Sequence, residues 1–156
     1  MSSAAMNPPT ETAGGSDAAA AFAAVHQLCF ADEAWDREAF ACLLALPTSL
    51  AFVDYQEGSL AGLLLCSFAA DEAEVLTCAV HPAWRRRGIA STLLVRAMAA
   101  NRQLGIRRIF LEVAEDAPPA QALYWRCGFR AVGRRRQYYQ RAVGGRVDAI
   151  VMRLDL

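Results

Sequence analysis

The stretch Val80-His81-Pro82-Ala83-Trp84-Arg85-Arg86-Arg87-Gly88-Ile89-Ala90 decides how the rest of the chain is read. An apolar, strand-like run, Val75 to Val80, stops at a proline. An R-x-x-G-x-A loop follows, with Arg85, Gly88 and Ala90 at its fixed positions, and a helical pattern begins directly after it. A helix entered this way offers free backbone N–H groups and the positive end of its dipole, which together make an anion site. Gly88 lacks the Cβ that would hold a phosphate away from those amides. The loop therefore reads as a phosphate-binding turn between a strand and a helix.

Outward from this turn the chain alternates helices and strands. Ala18 to Phe30 has helical periodicity through Phe22, Val25 and Cys29 or Phe30. Asp36 is a good N-cap for a second helix reaching Leu46, where Pro47 stops it. Ser49 to Tyr55 and Ser59 to Phe68 read as a hairpin about Glu57-Gly58, and Glu74 to Val80 as a third strand. After the loop, Leu93, Leu94, Ala97, Met98 and Leu104 share one helical face, and Gly105 closes that helix. Arg107 to Val113 is a strand, Pro118 opens a short helix that Gly128 ends, and Phe129 to Tyr139 and Arg146 to Leu154 are the last strands. The expected architecture is an α/β (α+β) layer fold, with a mixed, mainly antiparallel central sheet and helices on both faces.

Composition sets bounds. With 156 residues, 55% of them apolar, the chain can bury one core. Residues 1–17, rich in Ser, Pro, Thr and Gly, are expected to be a disordered leader, and residues 18–156 the single domain. The N-terminus lacks a basic n-region, so no secretory signal is expected. No apolar run approaches the ~20 residues of a membrane span, Leu60 to Ala70 being the longest, and no membrane partner is expected. Cys29, Cys42, Cys66, Cys78 and Cys127 form no CxxC pair and sit in apolar runs; they read as buried, reduced thiols of a cytoplasmic protein, not as a metal site.

Net charge is zero but unevenly spread: residues 1–80 carry eleven acids against Arg37 alone, and residues 81–156 carry fifteen arginines against five acids. The asymmetry is read as a cofactor side against a substrate side, with no direct nucleic-acid role.

Three further features make the loop specific. Glu112 is a lone acid in the apolar strand Leu111-Glu112-Val113. Ala122-Leu123-Tyr124-Trp125-Arg126-Cys127-Gly128-Phe129 forms an A-L-Y-x-x-x-G-F pattern. The third is the spacing of both from the loop. On these residues the chain resembles the GNAT N-acetyltransferase superfamily over roughly residues 18–156. Within it, Glu74 to Val80, Arg135-Arg136-Gln137-Tyr138-Tyr139 and Asp148-Ala149-Ile150-Val151-Met152 are similar to the ribosomal-protein-alanine N-acetyltransferases, the RimI type.

The resemblance implies a GNAT acyl-CoA N-acyltransferase fold, acetyl-CoA as co-substrate, and a protein N-terminus, that of a ribosomal protein, as partner. It implies that Cys78, Ala79 and Val80 line the acetyl and pantetheine arm with backbone groups, and that Arg86, Arg87, Gly88, Ile89, Ala90 and Ser91 cradle the pyrophosphate. Glu112 would be the general base and Tyr124 the general acid. The family usually has an Asn bonding the pantetheine arm; here that position is Ala117, followed by Pro118-Pro119.

The residue types suit the chemistry. An α-amine of pKa ~8 is partly neutral near pH 7, whereas a Lys at ~10.4 is far costlier to deprotonate. A carboxylate, directly or through water, suffices to take the proton from an α-amine, and a Tyr hydroxyl can protonate the leaving thiolate. The oxyanion needs a donor, for which the Val80 N–H at a strand distortion is the candidate.

Plainer readings stand beside these. Glu112 could only pair with an Arg, and Tyr124 could only pack. Tyr138 and Tyr139 suit sheet packing or peptide contact equally. His26 and His81 read as structural or exposed, Trp35 and Trp84 as core or cover. At this point a small amine, another protein N-terminus, and a non-catalytic acyl-CoA-binding module all remain open beside the N-terminal alanine of the eighteenth small-subunit ribosomal protein.

Overall fold

Alanine-rich sequence carries the highest helix propensity, and the first element of the computed structural model is the helix α1, Ser16–Phe30, opened by Asp17 in its first turn. The structure describes residues 16–156. The leader expected over residues 1–17 lies outside the described residues through residue 15, and α1 starts two residues before the expected Ala18. A 3-10 turn, Ala31–Glu33, links it to α2, Arg37–Leu44. The Asp36 carboxylate caps α2 by accepting from the Ala39 N–H at 2.9 Å.

The strands are β1 (Ser49–Gln56), β2 (Ser59–Ala69), β3 (Glu72–Val80), β4 (Arg108–Ala114), β5 (Arg130–Gln140) and β6 (Arg146–Asp155). Helix α3, Ile89–Gln103, lies between β3 and β4, and α4, Pro118–Arg126, between β4 and β5. Glu57 and Gly58, at φ +50° and +77°, form the two-residue turn of the β1–β2 hairpin. The six strands stand in the order β1-β2-β3-β4-β6-β5. Every neighbour pair is antiparallel except β3–β4, which is parallel. The mixed, mainly antiparallel sheet expected from the sequence is the one observed.

Strand alternation sorts the core onto two faces. On one, Ala19, Phe22 and Val25 of α1 and Phe40 of α2 bury against Val53, Leu63 and Leu65. On the other, Ile89, Leu93, Leu94 and Ala97 of α3 bury against Leu64, Cys66, Ile109 and Leu111, with Leu123 and Tyr124 of α4 packed beside them.

The start of α3 rests on Gly62 of β2. A Cβ there would stand 2.6 Å from Ile89 Cγ2 and 3.2 Å from Leu93 Cδ1. Ile89 is β-branched and stiff at χ1, so it cannot simply rotate away. Gly62→Ala should destabilise the fold by about 1–3 kcal/mol through overpacking, read as a lower urea midpoint at unchanged slope. A midpoint at or above that of the wild type would show that α3 has room to move.

Candidate active site

The site begins where the sheet opens. β3 and β4 pair only from Glu72 with Arg108 to Val75 with Leu111. One residue later the β2–β3 register slips: Leu65 faces Thr77 while Cys66 faces Val75, leaving Leu76 as an extra residue in β3. This is a β-bulge, which bends a strand and increases its twist. The distortion expected at Val80 therefore sits at Leu76. Beyond it β3 regains its ladder with β2 and runs without a partner on the β4 side.

The phase of that ladder decides what faces the gap. His81 N–H donates to Ala61 O at 2.8 Å, and opposed residues in an antiparallel pair alternate between bonded and non-bonded. Ala79 and Thr77 therefore bond to β2, whereas the N–H groups of Cys78 and Val80 turn toward the gap. The Val80 carbonyl, on the same side, accepts from the Cys29 thiol at 3.3 Å and from Arg85 Nε at 3.2 Å.

The gap is a channel of about 640 Å³ lined from both faces of the sheet. Cys78, Ala117 and Tyr124 come from the α3/α4 face. His26, Trp35, Glu112, Tyr139 and Arg141 line the side toward α1 and the end of β5. Ile109, Leu111 and Val113 point into the α3/α4 core, so the alternating Glu112 points the other way. Burial of the Tyr124 phenol raises its pKa well above the ordinary tyrosine value, with the nearby Cys78 and Cys127 thiols adding to the rise. Burial likewise pushes the Cys78 thiol up to about 12, so it stays protonated and is no nucleophile.

Glu112 does pair with an arginine, Arg135 of β5, yet its side chain is 14% exposed and lines the channel. Tyr139 is half-buried against the same carboxylate, its pKa raised to about 12 by burial and then by Glu112. Tyr138 is more exposed and also feels Glu112. Sequence reasoning missed the residue that closes this end. Arg141 donates twice to Asp116, at 2.8 and 2.7 Å, and to Glu33 at 3.1 Å, so one guanidinium ties the α1–α2 connection, the β4–α4 loop and the end of β5 together. Glu33 and Arg141 are 108 residues apart, and no local pattern announces such a pair.

At the other end, a 3-10 turn, Pro82–Trp84, leads into the arginine loop, and His81 Nδ1 accepts from the Ala83 N–H at 3.1 Å. Gly88 adopts φ +77° as the N-cap of α3 and supplies no side-chain cap, so the first amides of α3, Ile89 to Ser91, are left uncapped. A Cβ on Gly88 would meet no protein atom within 4 Å; it would project into open space. Arg87 stacks on Trp84 at 4.7 Å from the ring centre, and among the described residues neither Arg86 nor Arg87 pairs with a carboxylate.

Residues 20–129 match the Acetyltransferase (GNAT) family. The chain belongs to that family. It is an acetyl-CoA-dependent N-acetyltransferase. It is 34% identical over 101 residues to the [ribosomal protein bS18]-alanine N-acetyltransferase of Escherichia coli K12, spanning 65% of this chain and 68% of the relative. The N-alpha-acetyltransferase RimI of Mycobacterium tuberculosis is 38% identical over 133 residues, 83% of this chain and 80% of that one. The crystal structure of the Escherichia coli ribosomal-protein-S18-alanine N-acetyltransferase superposes with a TM-score of 0.83 at 29% identity, covering 91% of this chain and 90% of that one.

In this acetyltransferase His26 is a strut at the bulge, in keeping with its structural reading. It is 3% exposed; its Nδ1 accepts from the Trp35 N–H at 3.0 Å, so its Nε2 donates to Thr77 Oγ1 at 3.0 Å. Burial lowers its pKa from 6.5 to about 4. Between those values the unfolded chain binds a proton that the folded chain refuses, so stability is full above pH 6.5 and falls as pH drops toward 4. The loss should be on the order of 2 kcal/mol, measured by urea unfolding across that range. His26→Gln should remove most of this pH dependence; an unchanged profile would place its origin elsewhere.

Proposed function

We propose that the protein transfers the acetyl group of acetyl-CoA to the N-terminal α-amine of a protein, and that its acceptor is the N-terminal alanine of ribosomal protein bS18. The observation that carries this reading is the channel through the parted sheet, with Glu112 on one side and Tyr124 on the other, in a chain whose relatives are named for that activity. Five free cysteines fit a reducing compartment, and the cytoplasm is the proposed location. No helix among the described residues is long and apolar enough to cross a membrane.

The roles follow from placement. Arg86, Arg87 and the amides from Gly88 to Ser91 hold the pyrophosphate of CoA, where the helix dipole and two guanidinium groups without a carboxylate partner among the described residues favour an anion. From there the pantetheine arm runs along Cys78, Ala79 and Val80 and takes the place of the missing β4 partner, meeting the outward amides of Cys78 and Val80. Ala117, the N-cap of α4, offers the arm only a methyl group at the position where the resemblance implies an Asn.

The acceptor enters from the α1 side, past Tyr138 and Tyr139, and meets Glu112. An α-amine of pKa ~8 has a workable neutral fraction near pH 7, so Glu112 need only take the proton as the C–N bond forms. The oxyanion that develops meets the Val80 or Cys78 N–H. Tyr124, held protonated by burial, donates to the departing sulfur.

Two experiments test this. Glu112→Gln and Tyr124→Phe keep shape and should each lower kcat by ~10²-fold or more, with acetyl-CoA affinity by calorimetry almost unchanged; near-normal kcat in both would make the pair structural. A peptide beginning with a free alanine should be acetylated, and the same peptide with its N-terminus blocked and an internal lysine should not. Equal labelling of the lysine would move the assignment to a broad amine acetyltransferase.

A further inference from the structure

Glu112 lies where two cavities meet. Besides the channel, a hollow of about 390 Å³ opens on the same side of the sheet, walled by Glu72, Glu74, Phe110, Arg135 and Val151, and Leu111 and Glu112 line both spaces. The Arg135 guanidinium stands in this hollow against the Glu112 carboxylate. The two partners differ in freedom: the Arg135 side chain is 60% exposed and that of Glu112 14%.

The backbone around Arg135 is pinned while its side chain is not. Between Arg135 and Tyr139 the β5–β6 register slips, and Gln137 sits at φ +50°. That irregular turn is held by Gln137 N–H donating to Asp148 Oδ1 at 2.8 Å, and by Arg134 donating to Glu115 and Asp148 at 2.7 and 2.9 Å. The slip brings Arg135 and Tyr138 to Glu112 together, the guanidinium 5.6 Å from the Tyr138 ring centre. Of the other carboxyls in the wall, Glu72 pairs with Arg108 at 3.3 Å, whereas Glu74 is next to Glu112; burial and the charge of Glu112 raise its pKa, and Arg135 opposes them. One cation thus serves two neighbouring carboxylates at the point where the acceptor amine must arrive.

We propose that Arg135 is a positioning residue that occupies the place of the acceptor's α-ammonium in the free enzyme and is displaced by it. The inference rests on the acceptor reading given above. Two cations cannot share one nearly buried carboxylate without repulsion, so an arriving ammonium has to move the guanidinium out, and solvent is open to receive it. Until then Arg135 keeps the carboxylates of Glu74 and Glu112 from facing each other uncompensated.

The test uses Arg135→Gln and Arg135→Lys in the whole enzyme. With the alanine-initiated peptide, Arg135→Gln should lower the acceptor KM by about fivefold, the scale of one partly exposed ion pair. The KM of acetyl-CoA should stay the same, kcat should not rise, and Arg135→Lys should behave as wild type. An acceptor KM equal to or above the wild-type value would overturn the proposal and make Arg135 inert or a direct contact of the peptide. Alaninamide binding to the CoA-loaded enzyme, followed by calorimetry, separates this from the acceptor reading because it needs no turnover. Tighter binding in Arg135→Gln supports the displacement even if wild-type enzyme leaves the peptide unacetylated, which would defeat the acceptor reading alone. Equal or weaker alaninamide binding overturns the displacement whatever the peptide does.

Discussion

The parting of β3 from β4 beyond Val75 and Leu111 is the constraint on which the rest depends. A central strand that gives up a partner strands N–H and C=O groups, at a cost of about 1–3 kcal/mol for each one buried and unmet. The structure holds the gap open with contacts that cross to α1. His26 donates to Thr77 immediately after the bulge, and Cys29 and Arg85 donate to the Val80 carbonyl. The amides of Cys78 and Val80 stay turned into the channel. They form a preorganised polar edge, and a ligand with carbonyl groups or a developing oxyanion can complete it.

Because the gap passes through the sheet, the two faces can serve two ligands without sharing a wall. Tyr124 and Ala117 belong to the face that α3 and the arginine turn before it also occupy. Glu112, Tyr139 and the Arg141 tie belong to the face of α1. The charge asymmetry of the sequence does not sort this way. Arg85 to Arg87 belong to the turn, but Arg135 and Arg141, from the same arginine-rich half, cross to the α1 side and are absorbed by Glu112, Asp116 and Glu33. Net charge by halves therefore describes the chain better than it describes the site.

The legible parts were those with local chemistry. Gly88 before a helical face, Asp36 before an apolar one, and Pro118 opening a short helix each act within a turn of their own position, and the elements fall within a few residues of where these signals place them. Glu112 was legible because a lone carboxylate in an apolar strand has to face something other than the core. The bulge at Leu76 was not, since Glu74 to Val80 reads as one unbroken strand and only pairing with β2 reveals the extra residue. The slip between Arg135 and Tyr139 is hidden for the same reason. The ion pairs of Arg135 and Arg141 depend on side chains from distant segments, which no local period encodes.

Gly62 joins the two ends of the site. It is the β2 residue opposite Val80, so it belongs to the register that turns the Val80 amide into the channel. It is also the residue whose missing side chain lets Ile89, the first of α3, settle on the sheet. The amides that face the gap and the uncapped first amides of α3 are thus referenced to one position on a buried strand, with only the turn from His81 to Gly88 between them. A ligand that reaches from a pyrophosphate to a thioester needs both ends fixed relative to each other. The close approach at Gly62 supplies that fixed relation through packing alone, which is why a small residue is needed there rather than branched apolar side chains like those that follow it at Leu63, Leu64 and Leu65.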